Sequence, residues 1–145
     1  GPLEACLREQ ARQMKIEATF AGFKNQTELP SIYAAADLFV LPSSGEETWG
    51  LVVNEAMACG TPAIVSAASG CAPDLIDEES TGKTFATGNP DDLAGAIMLM
   101  LPNLRSESSL QAIQLKMASY SVTNAVAGIH EAISCFKHGD ASDNG

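Results

Sequence analysis

Two short, uninterrupted apolar runs constrain this chain more than any other feature: Leu38-Phe39-Val40-Leu41, closed by Pro42, and Ala63-Ile64-Val65-Ser66. A strand with one face in water alternates apolar and polar residues; a strand without that alternation is buried on both faces, as in a parallel sheet covered by helices. Between the runs, Trp49 to Cys59 has the length of a helix, with Gly60 as its C-terminal cap and Pro62 just beyond. Strand, loop, helix, strand is a right-handed crossover unit. The same order of strand and helix recurs along the chain, which predicts an α/β fold: a Rossmann-like, three-layer parallel sheet with flanking helices.

Local signals place the other elements. Leu3, Leu7, Ala11 and Met14 recur at spacings of four and three and predict a helix, after which Ile16 to Phe20 reads as a short strand. Glu28 to Ala36 reads as a helix with Thr27 as its N-cap and Pro30 in its first turn. A helical turn at Pro73 to Ile76, a small strand at Thr84 to Ala86 and helices at Asp91 to Leu101, Glu107 to Ser119 and Thr123 to Phe136 follow. Residues 1–138 form one domain on this reading, and the small polar residues 139–145 a frayed tail.

Of the 145 residues 46% are hydrophobic, enough to bury a core, and 8 Lys+Arg against 18 Asp+Glu give a formal charge of -10. That balance argues against a nucleic-acid or anionic-membrane partner. The basic residues are also unevenly placed, since none lies between Asn25 and Gly82. The four cysteines, Cys6, Cys59, Cys71 and Cys135, have neither zinc-site nor disulfide-framework spacing, so a reduced, cytoplasmic setting is expected. No run of eighteen apolar residues predicts a transmembrane segment. The chain opens on Gly1-Pro2-Leu3 without an initiator Met, and reads as cut from something longer, Gly-Pro being either a protease scar or the native end of a turn.

In open parallel sheets ligands bind at the carboxyl ends of the strands, which directs attention to the loop after Leu41. It leads to Glu47 and, seven residues on, to Glu55, about 12 Å apart along the axis if the whole segment is helical. Between them lies a helix N-terminus, whose free N–H groups favour an anion. Carboxylate, anion hole, carboxylate matches the order sugar, pyrophosphate, ribose of a nucleotide sugar. Plainer readings stand beside this one. Glu47 is equally a helix cap or dipole partner, and Glu55 a semi-buried carboxylate bonded to nearby backbone. The Trp49 ring packs its helix on the sheet, Gly70-Cys71-Ala72 makes a tight turn, Cys59 and Cys71 are small buried hydrophobes, and His130 and His138 are surface residues. Asp77-Glu78-Glu79 reads as a solvated turn. The absence of GxGxxG disfavours a dinucleotide site.

The block Glu47-Thr48-Trp49-Gly50-Leu51-Val52-Val53-Asn54-Glu55, continuing to Gly60-Thr61-Pro62, resembles the Glu-x7-Glu segment of the retaining glycosyltransferases of family 4, which have the GT-B fold. Phe20 to Phe23, Glu28 to Ser43, Ser66 to Ile76 and Gly82 to Phe85 resemble its flanking segments, so the likeness is close from Gly1 to Leu101. It implies the partial donor domain of a metal-independent transferase with no cofactor, using a UDP-, GDP- or ADP-sugar. Glu47 would be the catalytic-site residue holding the transferred sugar, Thr48 and the backbone of Trp49, Gly50, Leu51 and Val52 would face sugar and phosphates, Glu55 would bind ribose, and the main chain near Lys24 would meet the base. The resemblance also places two phosphate-neutralising cations and the acceptor-reading domain upstream, leaving Lys24 and Lys83 as the internal cations. The cytoplasmic expectation then includes peripheral attachment to the inner face of a membrane through the missing domain. The isolated chain is expected to bind donor weakly without turnover, and a non-catalytic nucleotide or nucleotide-sugar binding module is the competing reading.

Overall fold

A computed structural model describes residues 1–45 and 47–139. Three parallel strands, β1 (Phe39–Leu41), β2 (Ala63–Ser66) and β3 (Gly82–Phe85), lie side by side in chain order. Val40 stands opposite Ile64, and Ile64 opposite Lys83. The helices are α1 (Glu4–Gln13), α2 (Leu29–Ala35), α3 (Leu51–Ala58), α4 (Ala72–Leu75), α5 (Pro90–Met100), α6 (Glu107–Ser119) and α7 (Val122–Gly139), with a 3₁₀ turn at Leu101–Asn103.

The middle strand explains the layers. Every residue of β2 is buried, and its side chains alternate between two cores. Ala63 and Val65 join Val53 and Met57 of α3, Leu75 and Ile113 on one face; Ile64 joins Phe85 and Ala96, with Leu93 and Ile97 of α5, on the other. Each fully buried aliphatic side chain contributes about 1.5–3 kcal/mol, so an unbroken apolar run is stable only with helices on both sides. Helix starts follow local chemistry. Asn89 Oδ1 accepts from the N–H groups of Asp91 and Asp92 ahead of α5, and Ser106 Oγ accepts from Ser109 N ahead of α6.

Several expectations need correction. Ile16 to Phe20 forms no strand; among the described residues β1 pairs only with β2, and Phe20 instead lies under the Arg8 guanidinium, 4.4 Å from its ring centroid. As the edge strand, β1 is half-buried rather than covered on both faces. Thr27 does not cap α2: Asn25 Oδ1 takes the N–H groups of Thr27 and Glu28, a turn that leaves Glu28 at the N-cap position. Trp49 lies outside α3, which starts two residues later, so the 12 Å helical separation of Glu47 and Glu55 does not apply. The third strand runs from Gly82 to Phe85, two residues ahead of its expected start. Cys71 is buried, but Cys59 only partly. The tail beyond residue 139 lies outside the described residues, as do Glu46 and the surroundings of the His138 side chain.

Candidate functional site

The carboxyl edge of the sheet is built from two loops that lock together. One leaves β1 at Leu41 and reaches α3; the other leaves β2 at Ser66 and reaches α4. Cys71 N donates to Trp49 O at 2.9 Å. Gly70 approaches so closely that a Cβ there would stand 2.1 Å from Thr48 O, which is why the turn carries no side chain. Trp49 Nε1 donates to Asn54 Oδ1 at 2.8 Å, and its half-buried ring packs against the core beside Tyr120. The tryptophan ring packs on the core as expected, but from the loop rather than from the helix, and it ties that loop to α3 through Asn54.

Gly50 makes the turn into α3. It sits at φ +99 and ψ 54, a left-handed conformation costly for any residue with a Cβ, and the α3 N-terminus has no side-chain cap and no acidic residue in its first turn. Among the described residues no side chain caps that dipole end. Glu47 and Thr48, just ahead of it, are exposed, as is Leu51; Val52 is half-buried. No hydrogen bond among the described residues engages the Glu47 carboxylate. Its charge does reach Cys71, whose thiol is pushed up mainly by burial, against the pull of a backbone hydrogen bond, and further by Glu47. Cys71 is therefore a protonated packing residue and no nucleophile.

Glu55 is the fifth residue of α3 and is exposed rather than semi-buried. Its partner is a side chain, not backbone: Tyr33 of α2 donates its hydroxyl to Glu55 Oε2 at 3.0 Å. Burial first, then the Glu55 hydrogen bond and charge, raise the Tyr33 phenol above its usual 10.0. No spacing signal pairs two residues 22 positions apart, and the sequence reading assigns Tyr33 no role. A hydroxyl pair at the same edge, Ser66 Oγ and Thr87 Oγ1 at 2.7 Å, which jointly take the N–H of Ala68, was equally invisible.

The structure gathers Glu47, Thr48, Trp49, Gly50, Leu51, Val52 and Glu55 on one loop and helix start. The two cations stand elsewhere. Lys24, half-buried in the coil before α2, pairs with Glu28 at 3.4 Å. Lys83 donates to Glu78 O at 2.7 Å and borders a cavity of about 460 Å³ with Pro62, Ser80, Gly82 and Ser106. Those residues mark the amino ends of β2 and β3, the wrong end of the sheet for Lys83 to serve the Glu47 loop. His130 is exposed, and the Asp77-Glu78-Glu79 turn is solvated, as expected.

In α/β domains with a parallel sheet, ligands bind where loops leave the strands, and at that edge this chain carries an uncapped helix N-terminus. The profile of the family described as glycosyl transferases group 1 matches residues 1–116, and the chain belongs to that family. Sulfoquinovosyl transferase SQD2 of Arabidopsis thaliana is 45% identical over 80 residues, 55% of this chain and 15% of that protein. Sucrose-phosphate synthase from Thermosynechococcus elongatus superposes with a TM-score of 0.72 at 27% identity, over 93% of this chain and 35% of the other. Anabaena Alr3699/HepE, in complex with UDP and glucose, gives 0.74 at 25% identity, over 90% and 36%. The α/β architecture is that of the GT-B glycosyltransferases. The chain spans 15 to 36% of the length of these relatives. No described helix is long and apolar enough to cross a membrane.

Proposed function

We propose that this chain is the donor-binding portion of a retaining, metal-independent glycosyltransferase that takes a nucleotide sugar. The observation that carries the reading is the uncapped N-terminus of α3, flanked by exposed Glu47 and Glu55, at the carboxyl edge of a parallel sheet. Glu47 would accept hydrogen bonds from hydroxyls of the transferred sugar. The N–H groups opening α3, at Leu51 and Val52, would meet the phosphates, with Thr48, Trp49 and Gly50 shaping the turn. Glu55 would accept from the ribose, and the main chain near Lys24 would meet the base. UDP in the Anabaena neighbour supports a nucleoside diphosphate as the ligand class. Acceptor recognition and the phosphate-neutralising cations are assigned to sequence outside these 145 residues, consistent with the greater length of the relatives.

A non-catalytic nucleotide or nucleotide-sugar binding module is favoured by one feature, the lack of any Lys or Arg from Asn25 to Gly82. Leaving-group departure leans on positive charge placed against the departing phosphate, whereas weak binding alone needs less of it. A panel of UDP, GDP and ADP sugars separates the possibilities, titrated against this chain and Glu55→Ala. Weak, saturable binding by the parent, at least about tenfold weaker in the variant, is expected, with no sugar transfer by the 145 residues alone. If no donor binds at high concentration and the variant matches the parent, the donor site loses its support. Robust transfer by the chain alone would remove the need for outside cations.

A further inference from the structure

Tyr33 is 8% exposed, yet its hydroxyl reaches from α2 to an exposed carboxylate on α3. Both ends of the residue are fixed. Its backbone carbonyl accepts from the buried Thr61 Oγ1 at 2.6 Å, and its ring stands edge-on to Phe39, 5.7 Å between centroids. A ring held in this way gives its O–H a single direction, whereas an exposed glutamate left to itself samples several rotamers. The phenol is raised above 10.0 by burial, so it remains a donor through the neutral range.

Each carboxylate oxygen offers two acceptor sites. Oε2 of Glu55 takes the Tyr33 hydroxyl, while Oε1 has no partner among the described residues. We propose that Tyr33 is a positioning residue of the donor site, holding Glu55 in the rotamer that presents Oε1 to the vicinal hydroxyls of a nucleotide ribose. This rests on the donor reading above and deepens it: Tyr33 makes the site selective for ribose without touching the ligand. A carboxylate already oriented loses less side-chain entropy when the hydroxyls arrive.

The test compares the parent with Tyr33→Phe, which keeps the ring and removes only the hydroxyl, and with Glu55→Gln. The ligands are whichever of UDP, GDP and ADP binds the parent best, and its 2′,3′-dideoxy analogue. Nuclear magnetic resonance titration gives the affinities, and side-chain scalar couplings give the Glu55 rotamer in the free protein. The parent should prefer the ribose form by about tenfold, the worth of one charge-assisted hydrogen bond. Tyr33→Phe should cut that preference to about threefold or less, average the Glu55 couplings, and leave affinity for the dideoxy form unchanged. A variant that keeps both the preference and a single rotamer overturns the proposal and leaves the donor reading standing. Equal weakening toward both ligands, with a lowered thermal midpoint, overturns it in favour of a packing role. If no diphosphate binds, or Glu55→Gln leaves the ribose preference intact, the donor reading fails and takes this role with it.

Discussion

Glu78 shows how much of a residue's behaviour its neighbours decide. In the sequence it is the middle of an acidic run, Asp77-Glu78-Glu79, and it does face solvent. The turn nevertheless folds it back onto β3, where it accepts from the side chain and the N–H of Thr84, with Lys83 3.7 Å from its other oxygen. The Thr84 hydrogen bonds, opposed by some desolvation and assisted by Lys83, hold its carboxyl below the ordinary 4.5. A carboxyl lowered in the folded state binds its proton more weakly there than in the unfolded chain. Its contribution is therefore present above the unfolded value and lost as pH falls through the lowered folded value. Glu78→Gln should unfold at lower denaturant than the parent at pH 7, with the gap closing as pH drops below 4.5. Urea titrations at several pH values measure this, and a gap that widens in acid would contradict it. Glu47 and Glu55 were legible at this scale because their spacing brackets a helix start, but Tyr33 was not, since its meeting with Glu55 is made by the packing of α2 on α3.

Among the elements, those whose signals are local came out close to the sequence reading. The Ser106 cap sets the start of α6, and the apolar run Ala63-Ile64-Val65-Ser66 is β2 residue for residue. Elements that depend on a partner did not: Ile16 to Phe20 has strand-like composition and no strand beside it, and β3 begins at Gly82 because Gly82 pairs with Ala63. A Cβ at Gly82 would stand 2.0 Å from Ala63 O, so this register admits glycine where propensity argues for a turn. The helix that carries Glu55 is likewise held from outside itself. Ile113 of α6 is fully buried in the cluster that contains Val53 and Met57 of α3. Truncating it leaves a cavity beneath α3, so Ile113→Ala should destabilise the fold by about 2–4 kcal/mol. Chemical denaturation reads that cost directly; a loss under about 0.5 kcal/mol, the range of surface substitutions, would mean that α6 does not seat on α3 as described.

For the whole molecule, the formal charge of -10 acts on the ligand at a different range from the site. A nucleoside diphosphate is an anion, so its long-range interaction with this chain is repulsive. The attraction from the α3 N-terminus is short-ranged, confined to the first helical turn and its N–H groups. Salt separates the two by distance, because the Debye length shrinks from about 30 Å at 0.01 M to about 8 Å at 0.15 M. Added salt should quench the repulsion of distant carboxylates before it weakens contacts at hydrogen-bond distance. Affinity for UDP, GDP or ADP should accordingly rise a few-fold between about 10 and about 150 mM sodium chloride, while binding of the neutral nucleoside stays level. A site organised around lysines or arginines behaves in the opposite sense, as released counterions make its affinity fall with salt. Since Glu47 through Glu55 lies inside a stretch without a single Lys or Arg, a rise in affinity is the signature of phosphate held there by backbone alone. A fall would move the phosphate to Lys24 or Lys83 and away from the start of α3.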